Sequence, residues 1–464
     1  MSPFIRFREI AQRIFSLALP MSGSQLINVA SGFLCMGMLA QLGNQTLAAS
    51  ALIFSTQMTI MVTGMSLIFS LSVLVGHAYG AKNYLGIGSF VQQAWVLGAL
   101  ISVPIIFLFW HIDSILVYFG QEPAMANIVQ QYFHAYVFAV IPGFISTCNQ
   151  QFGYGIHKKT LIVSTSFMSV TVLLVTAYVL IFGKLGMPAL GVAGLGYAMA
   201  AQYTFFCVFT LLFFYYEKSF KRFELFRFRI HKEWEQMAQV FKIGWPISLQ
   251  MGGEMLTFLV DAIMVGWLGT VALSAFQVVN QYTFLVVIPI FSLSQACGIL
   301  VGQARGGKQF HDIKPLGYMS ILLVLLMTSV IALIFLFFPK FLAEFYVNVH
   351  DPINQPIVAI IVVLFAIVAF TQLADGMRNV LIGLLRGLFD TKFPMIVGLV
   401  TIWLGVLLSY VLAFPLHFGI VGIALGSLLG LTSGAVILLL RWRVLSKQWD
   451  GHNEMPIEKK IPNK

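Results

Sequence analysis

Charged residues are scarce in this chain. Asp, Glu, Lys and Arg make up only 9% of its 464 residues, whereas hydrophobic residues make up 59%. A soluble globular domain carries about 25% charged residues, so this composition excludes an ordinary soluble protein. The four cysteines all lie in apolar segments, without the spacing of a metal site or a disulfide framework. We interpret them as packed, reduced thiols.

A removable signal peptide is also missing. Residues 1–13 are polar, and the apolar run that follows, near 14–42, is too long for a signal h-region. Each membrane span needs about 20 apolar residues, so we interpret this run as the first of twelve transmembrane helices in an all-α polytopic membrane protein. The twelve apolar runs lie near residues 14–42, 50–80, 88–111, 126–152, 160–183, 190–216, 241–268, 273–304, 316–339, 355–385, 393–415 and 418–446.

The basic residues predict the orientation in the membrane. When the loops are assigned alternately to the two sides, all but three of the 27 Lys and Arg residues fall on one side. The exceptions are Lys184 and Lys340 on the other side and Arg378 inside a span. The positive-inside rule makes the basic side cytoplasmic, so both termini are expected there. The net charge of +10 then matches an anionic lipid leaflet and requires no nucleic acid.

A basic segment at 217–240 connects the two halves of the chain. Its part Phe220–Arg229 alternates basic and aromatic residues. A nucleic-acid site is one interpretation of this pattern. We favour a connector that lies on the bilayer surface, with aromatic rings in the lipid and arginines at the phosphates.

The two halves of the sequence repeat each other at an offset of 226 residues over about sixty positions. Pro20 matches Pro246, for example, and Leu42-Gly43 matches Leu268-Gly269. The match indicates an internal duplication. It predicts an N-terminal tail at 1–13, an N-lobe at 14–216, a C-lobe at 241–446 and a C-terminal tail at 447–464. Because six helices form each repeat, the pseudo-two-fold axis runs along the membrane normal, as in transporters that rock one lobe against the other.

Three carboxylic acids lie inside predicted spans, all in the second half: Glu254, Asp261 and Asp375. An acid inside a bilayer costs roughly 2.5–3.5 kcal/mol on insertion scales. At the repeat offset, Glu254 corresponds to Asn28 and Asp261 to Cys35. Embedded acidity is therefore confined to one repeat, and a carboxyl pair there suits ion coupling, with a shared proton, a bound Na⁺ or the charge of a lipophilic cation.

Each acid also has a structural interpretation. Glu254 is alternatively a protonated carboxyl that hydrogen-bonds a neighbouring helix. Asp261 lies about two turns from the external end of its helix, where interfacial solvation is an equal alternative. Asp375 has Arg378 three residues later on the same helix face, so a local ion pair is possible.

Polar neighbours in the same spans are secondary candidates for the site. We expect most of them to make interhelical hydrogen bonds instead. They are Gln277, Asn280, Tyr282, Arg378 and Asn379.

At this point the chain resembles the multidrug and toxic-compound extrusion (MATE) family over nearly its whole length. The segments that carry the resemblance include Met251-Gly-Gly-Glu254, Asp261-Ala-Ile-Met-Val-Gly-Trp-Leu-Gly269, Ala374-Asp375-Gly and Leu385-Arg-Gly-Leu-Phe-Asp390-Thr391. The Glu of the seventh span and the Asp of the tenth look like the pair of the bacterial NorM-like branch. The resemblance implies that Glu254 and Asp375 couple transport to H⁺ or Na⁺, and bind the metal ion if it is Na⁺.

Two positions depart from the family pattern. Many bacterial members carry an Asp in the first span, in a Gly-Phe-x-Asp context, and this chain has Gly32-Phe-Leu-Cys35 there. Arg378 beside Asp375 is a second departure, which favours protons over a plain two-carboxylate Na⁺ site.

The resemblance implies a monomeric antiporter of the bacterial inner membrane, without a cofactor, that exports lipophilic organic cations. The alternative within transport is a flippase of a lipid-linked precursor. A polytopic membrane enzyme or a channel is a third possibility, although the sequence shows no set of nucleophile, metal or cofactor residues.

Overall fold

The computed structural model describes residues 3–227 and 234–449. Within these ranges the chain forms α-helices and short 3-10 turns, with no β-strand. Twelve of the described helices are long and apolar enough to cross a membrane. This confirms the predicted number of spans and the all-α fold, since backbone groups inside a bilayer must be satisfied within each segment.

The first six spans belong to the first repeat. They are α1 (Pro3–Ala40), α2 (Asn44–Ser66, which continues through a 3-10 turn at Leu67–Phe69 into Ser70–Gly80), α3 (Tyr84–Trp110), α4 (Pro123–Gly155), α5 (Lys159–Phe182) and α6 (Val192–Tyr216). A short helix, Ile112–Tyr118, lies between α3 and α4.

The second six spans follow the connector. They are α7 (Trp234–Trp267), α8 (Thr270–Gly306), α9 (Phe310–Phe337), α10 (Gln355–Gly387), α11 (Lys392–Ala413) and α12 (Gly419–Trp449). A short helix, Pro339–Glu344, lies between α9 and α10. The helices end within a few residues of the apolar runs, and α1, α2, α7 and α9 begin six or more residues before them.

The chain divides into two compact units whose borders fall inside helices. One unit, the N-unit, is Leu19–Met255, and the other, the C-unit, contains the described residues up to Ala18 and from Leu256 onward. The beginning of α1 thus belongs to the unit of the second repeat, and the beginning of α7 to the unit of the first. In both repeats it is the beginning of the first helix that belongs to the other unit.

Close contacts hold the beginning of α7 within the N-unit. The 3-10 turn that interrupts α2 presents the carbonyl of Leu67 directly to Gly244, where a side chain would collide with it. Next to it, Ser70 Oγ donates a hydrogen bond to the carbonyl of Val240 at 3.1 Å, and Ser248 Oγ donates to the carbonyl of Thr63 at 2.6 Å. The break in α2 therefore provides the backbone surface on which α7 packs.

The first part of the connector is buried in the N-unit. Phe220 and Phe223 are each only 1% exposed, and Gln92 Nε2 of α3 donates hydrogen bonds to the carbonyls of Glu224 and Leu225 at 3.0 and 2.9 Å. The expectation of aromatic rings lying in the lipid is wrong for these two residues, because packing against α3, α4 and α6 removes more apolar surface than a bilayer surface would. Phe226 is exposed. Residues 228–233 of the connector and 450–464 of the tail lie outside the described residues.

Small residues bring α8 and α10 into contact within the C-unit. Gly383 lies against the carbonyl of Ser294, and Gly298 and Gly387 each lie where an added Cβ would be 2.7 Å from a backbone oxygen of the facing helix. Ser294 Oγ also donates to the carbonyl of Asn379 at 2.5 Å. Such close backbone approach is how helices associate in lipid, where no hydrophobic force acts between them.

We expect Gly383→Ala to destabilise the protein by about 1–3 kcal/mol, the usual cost of overpacking. The added methyl group collides with a backbone carbonyl, which cannot rotate away. The thermal stability of the detergent-purified protein, followed by size-exclusion chromatography after heating, measures the effect. Gly266→Ala is the matched control, because no atom lies within 4 Å of an added Cβ there; equal stability of the two variants would contradict the prediction.

Candidate functional site

Glu254 lies half-buried on α7, in the part of this helix that belongs to the N-unit. Gln250, one turn earlier and buried, donates a hydrogen bond from Nε2 to Glu254 Oε1 at 3.0 Å. The neighbouring Gly252 faces Thr63 of α2, and an added Cβ would be 3.0 Å from its Cγ2 atom. The glycine thus permits close packing beside the acid, and the glutamine amide provides a neutral donor to it.

Asp375 is part of an ion pair within α10 of the C-unit. Arg378 donates to Asp375 Oδ1 from Nη2 at 2.9 Å and from Nε at 3.1 Å. The side chains are buried, with 13% of Asp375 and 4% of Arg378 exposed. The structure therefore shows the local ion pair that the spacing of three residues allowed. Asp375 carries its own counter-charge, and any other cation has to compete with a guanidinium.

Asp261 lies seven residues beyond Glu254 on α7, in the part that belongs to the C-unit. Its side chain is half-buried. Its Oδ1 atom is buried and has no hydrogen-bond partner among the residues that the structure describes. Interfacial solvation does not account for this oxygen, because the surrounding protein covers it.

The secondary candidates separate into different environments. Tyr282 Oη donates to the carbonyl of Leu342 at 2.9 Å and its ring packs edge-on against Phe365, so it holds the short helix Pro339–Glu344 in place. Asn379 Nδ2 donates to the carbonyl of Asp375 at 3.0 Å, on its own helix. Gln277 is exposed and Asn280 is half-buried.

The equivalent positions of the first repeat carry no charge. Asn28, which corresponds to Glu254, accepts a hydrogen bond from Gln202 Nε2 of α6 at 3.3 Å. Cys35, which corresponds to Asp261, is completely buried. The structure also shows a buried polar contact that the sequence analysis missed, in which Tyr132 Oη donates to Gln57 Oε1 at 2.6 Å. No sequence signal links these two side chains, because they lie 75 residues apart on different helices.

Clustered metal ligands are absent from this arrangement. Among residues 3–227 and 234–449, no group of three or more His, Cys, Asp and Glu side chains lies close enough to hold a metal ion. Glu254 and Asp375 belong to different units, and each has a partner on its own helix. Each of the two predicted coupling acids therefore binds a side chain of its own helix, Glu254 the amide of Gln250 and Asp375 the guanidinium of Arg378.

Comparison with known proteins decides the family. The profile of the MatE family matches residues 20–179 and 246–411, which together exceed half of the chain and correspond to the two repeats. The chain belongs to the MatE family. It is accordingly a multi-pass membrane transporter rather than an enzyme. The profile match confirms the family that the sequence motifs resemble.

Curated relatives of this MatE protein extend over nearly its whole length. The chain is 30% identical to a probable multidrug resistance protein NorM of Rhizobium meliloti, with 92% of this chain and 91% of the relative covered. It is 29% identical to a probable multidrug resistance protein NorM of Agrobacterium fabrum, with 93% of each chain covered.

Solved structures confirm the MatE fold. An outward-facing multidrug resistance MATE family transporter matches with a TM-score of 0.85 at 16% identity, covering 96% of this chain and 97% of that chain. A Vibrio cholerae MATE transporter, VcmN in its bent form, matches with a TM-score of 0.83 at 17% identity, covering 96% and 98%.

Removal of one partner of the buried ion pair should destabilise the protein more than removal of both. We expect Arg378→Gln to cost about 3–5 kcal/mol, because it leaves the Asp375 carboxylate buried without its counter-charge. Adding Asp375→Asn to this variant should recover most of the loss. A double-mutant cycle on thermal stability in detergent tests this; additive losses would show that the two side chains do not stabilise each other.

Proposed function

We propose that this protein is a cation-coupled antiporter that exports lipophilic, mostly cationic drugs and toxins by alternating access of its two lobes. It acts as a monomer in the bacterial inner membrane, with both termini in the cytoplasm, and its partners are small organic cations and the surrounding lipids. The coupling ion is H⁺ or Na⁺, and no cofactor is required. The names of the NorM relatives and the fold of the MATE transporters support drug export.

The observation that carries the coupling proposal is the half-buried Glu254 inside a membrane span. An ionisable residue at such a position is costly and marks ion or substrate pathways. Gln250 Nε2 already donates to one carboxyl oxygen, which stabilises the ionised form. A proton or a Na⁺ that binds this carboxylate changes its charge, and a cationic drug that needs the same charge is then excluded. Competition of this kind is sufficient for antiport.

Asp375 differs from Glu254 because its carboxylate is already paired with the Arg378 guanidinium. Arg378 occupies the place that a free cation would take at Oδ1, at 2.9 Å. A bound cation therefore has to displace the guanidinium, which makes Asp375 a coupling residue only in a state in which the pair opens. This geometry favours H⁺ over Na⁺, because a small proton needs no multidentate oxygen site whereas hard metal cations are held by several oxygens.

The flippase alternative has no observation in its favour. A pyrophosphate-bearing lipid would need basic groups in the membrane-embedded part, and Arg378 is the only basic residue that lies inside a predicted span away from its ends. Its guanidinium is bound by Asp375. A drug exporter, which has to attract cations, agrees better with the acidic excess of the second repeat.

Glu254→Gln should reduce ethidium efflux from proteoliposomes to the background rate, because the neutral amide keeps the shape of the side chain and removes the exchangeable charge. Efflux is followed by ethidium fluorescence under an imposed Na⁺ gradient and then under a pH gradient, and the gradient that drives the wild type identifies the coupling ion. Glu344→Gln, in an extramembrane helix and with an exposed side chain, is the matched control. Unchanged efflux in Glu254→Gln would remove Glu254 from the mechanism.

Cys35→Ala should leave efflux nearly unchanged. The thiol is completely buried, and its loss removes no charge from the first repeat. The same proteoliposome assay measures the effect, with protein amount and folding checked by size-exclusion chromatography. Loss of transport in a well-folded Cys35→Ala protein would show that this position takes part chemically in the cycle.

A further inference from the structure

Asp261 is the acid of the second repeat whose environment the coupling proposal leaves unexplained. Its Oδ1 atom is buried without a hydrogen-bond partner in the described part of the chain. By contrast, Glu254 accepts from Gln250 and Asp375 from Arg378. A buried carboxylate oxygen without a donor is strongly disfavoured in its charged form, so the structure implies a compensating proton or cation.

The helices packed around this part of α7 carry no charge in their middle portions apart from Asp375 and Arg378. Lys340 and Glu344, on the short helix that also contributes to this packing, are exposed. On the same face of α7, Thr257, Met264 and Val265 are buried. Met264 and Val265 belong to an apolar cluster to which α8, α9, α10, α11 and α12 all contribute. The sequence has no Asp, Glu, Lys, Arg or His from 262 to 304, from 315 to 339, from 352 to 374, from 393 to 416 or from 418 to 440.

Within these uncharged stretches the titratable side chains are three tyrosines and a cysteine. Tyr318 of α9 is 44% exposed. Tyr282 of α8 donates its hydroxyl to the carbonyl of Leu342. Tyr410 of α11 is 49% exposed and packs against Phe414. Cys297 lies far along α8, beyond the apolar cluster. None of these groups is a base or a cation that would pair with a carboxylate at neutral pH.

Away from the helix ends, the charged residues in the spans of the C-unit are Asp261, Asp375 and Arg378. Asp375 and Arg378 neutralise each other at 2.9 Å, and Asp261 remains. A single carboxylate in an apolar cluster suits a proton better than a metal ion, which would require several oxygen ligands. No cluster of three or more metal-ligating side chains is present in the part of the chain that the structure describes.

The duplication shows that this position faces the interior of each repeat. Asp261 follows Pro246, and Cys35 follows Pro20, by the same number of residues. Cys35 is completely buried in the N-unit. The same structural position thus holds an uncharged thiol in one repeat and a carboxyl group in the other.

We propose that Asp261 is an exchangeable proton site in the C-unit, separate from Glu254 and Asp375. The proton resides on a carboxyl oxygen when no organic cation is bound. When a cationic substrate arrives, the O–H bond breaks, the proton passes to water and the carboxylate compensates the incoming positive charge. The release step rests on the proposed export of cations, whereas the protonated state of Asp261 does not.

Infrared spectroscopy of the full-length protein in lipid nanodiscs at neutral pH tests both parts. We expect a C=O stretching band of a protonated carboxyl group in the wild type that is lost in Asp261→Asn. The band should persist in Asp113→Asn, an aspartate outside the twelve spans. Addition of ethidium should reduce the band in the wild type and leave Asp261→Asn unchanged. Asp261→Cys, which introduces the residue of the equivalent position in the first repeat, provides a second variant if the Asn variant folds poorly.

The outcomes separate this inference from the export proposal. Identical spectra of the wild type and both Asp261 variants would overturn the proton site. A band that is present and insensitive to ethidium, in a protein that transports ethidium, would overturn the release step. Failure of ethidium transport in proteoliposomes would overturn the export proposal, and the band would still report whether Asp261 is protonated.

Discussion

The cost of placing a charge inside a lipid bilayer governs this structure. With only 9% charged residues, the chain keeps nearly all of its charges at helix ends and in loops. The few that remain in the spans are each placed in a distinct environment. Asp375 is paired with Arg378 within one helix, and Glu254 accepts from an amide. Asp261 has a buried oxygen without a donor among the residues that the structure describes. These environments, rather than the number of acids, distinguish their chemistry.

The same medium explains how the helices pack. Lipid offers no hydrophobic force between helices, so association relies on close backbone contact and on hydrogen bonds to carbonyl groups. Gly383 against Ser294 in the C-unit and Gly244 against Leu67 in the N-unit are examples. Serine hydroxyl groups donate across the same interfaces, from Ser294 to Asn379 and from Ser248 to Thr63. Small and polar residues thus fix the positions of the acid-bearing helices.

The two repeats share one sequence pattern, and only the second carries acids inside its predicted spans. The position of Glu254 is an asparagine in the first repeat, which joins α1 to α6 through Gln202. The position of Asp261 is a buried cysteine there. The repeats thus match in sequence pattern and differ in charge. This difference agrees with the proposal that acids of the second repeat couple transport to a cation. Because the border between the two units falls inside α7, Glu254 belongs to the N-unit and Asp261 to the C-unit.

The sequence by itself determined the twelve spans, the duplication and the family, because long apolar runs and repeated motifs are local patterns that a bilayer forces into helices. It also located the three acids. Only the tertiary structure decided that Arg378 reaches Asp375, that the connector buries Phe220 and Phe223, and that Tyr282 donates a hydrogen bond to the carbonyl of Leu342. It also showed that Asp261, for which interfacial solvation and function were equal alternatives, is half-buried with one buried carboxyl oxygen. The physical reason is that hydrogen-bond partners and burial depend on which helix faces a side chain, and spacing along one helix does not specify this.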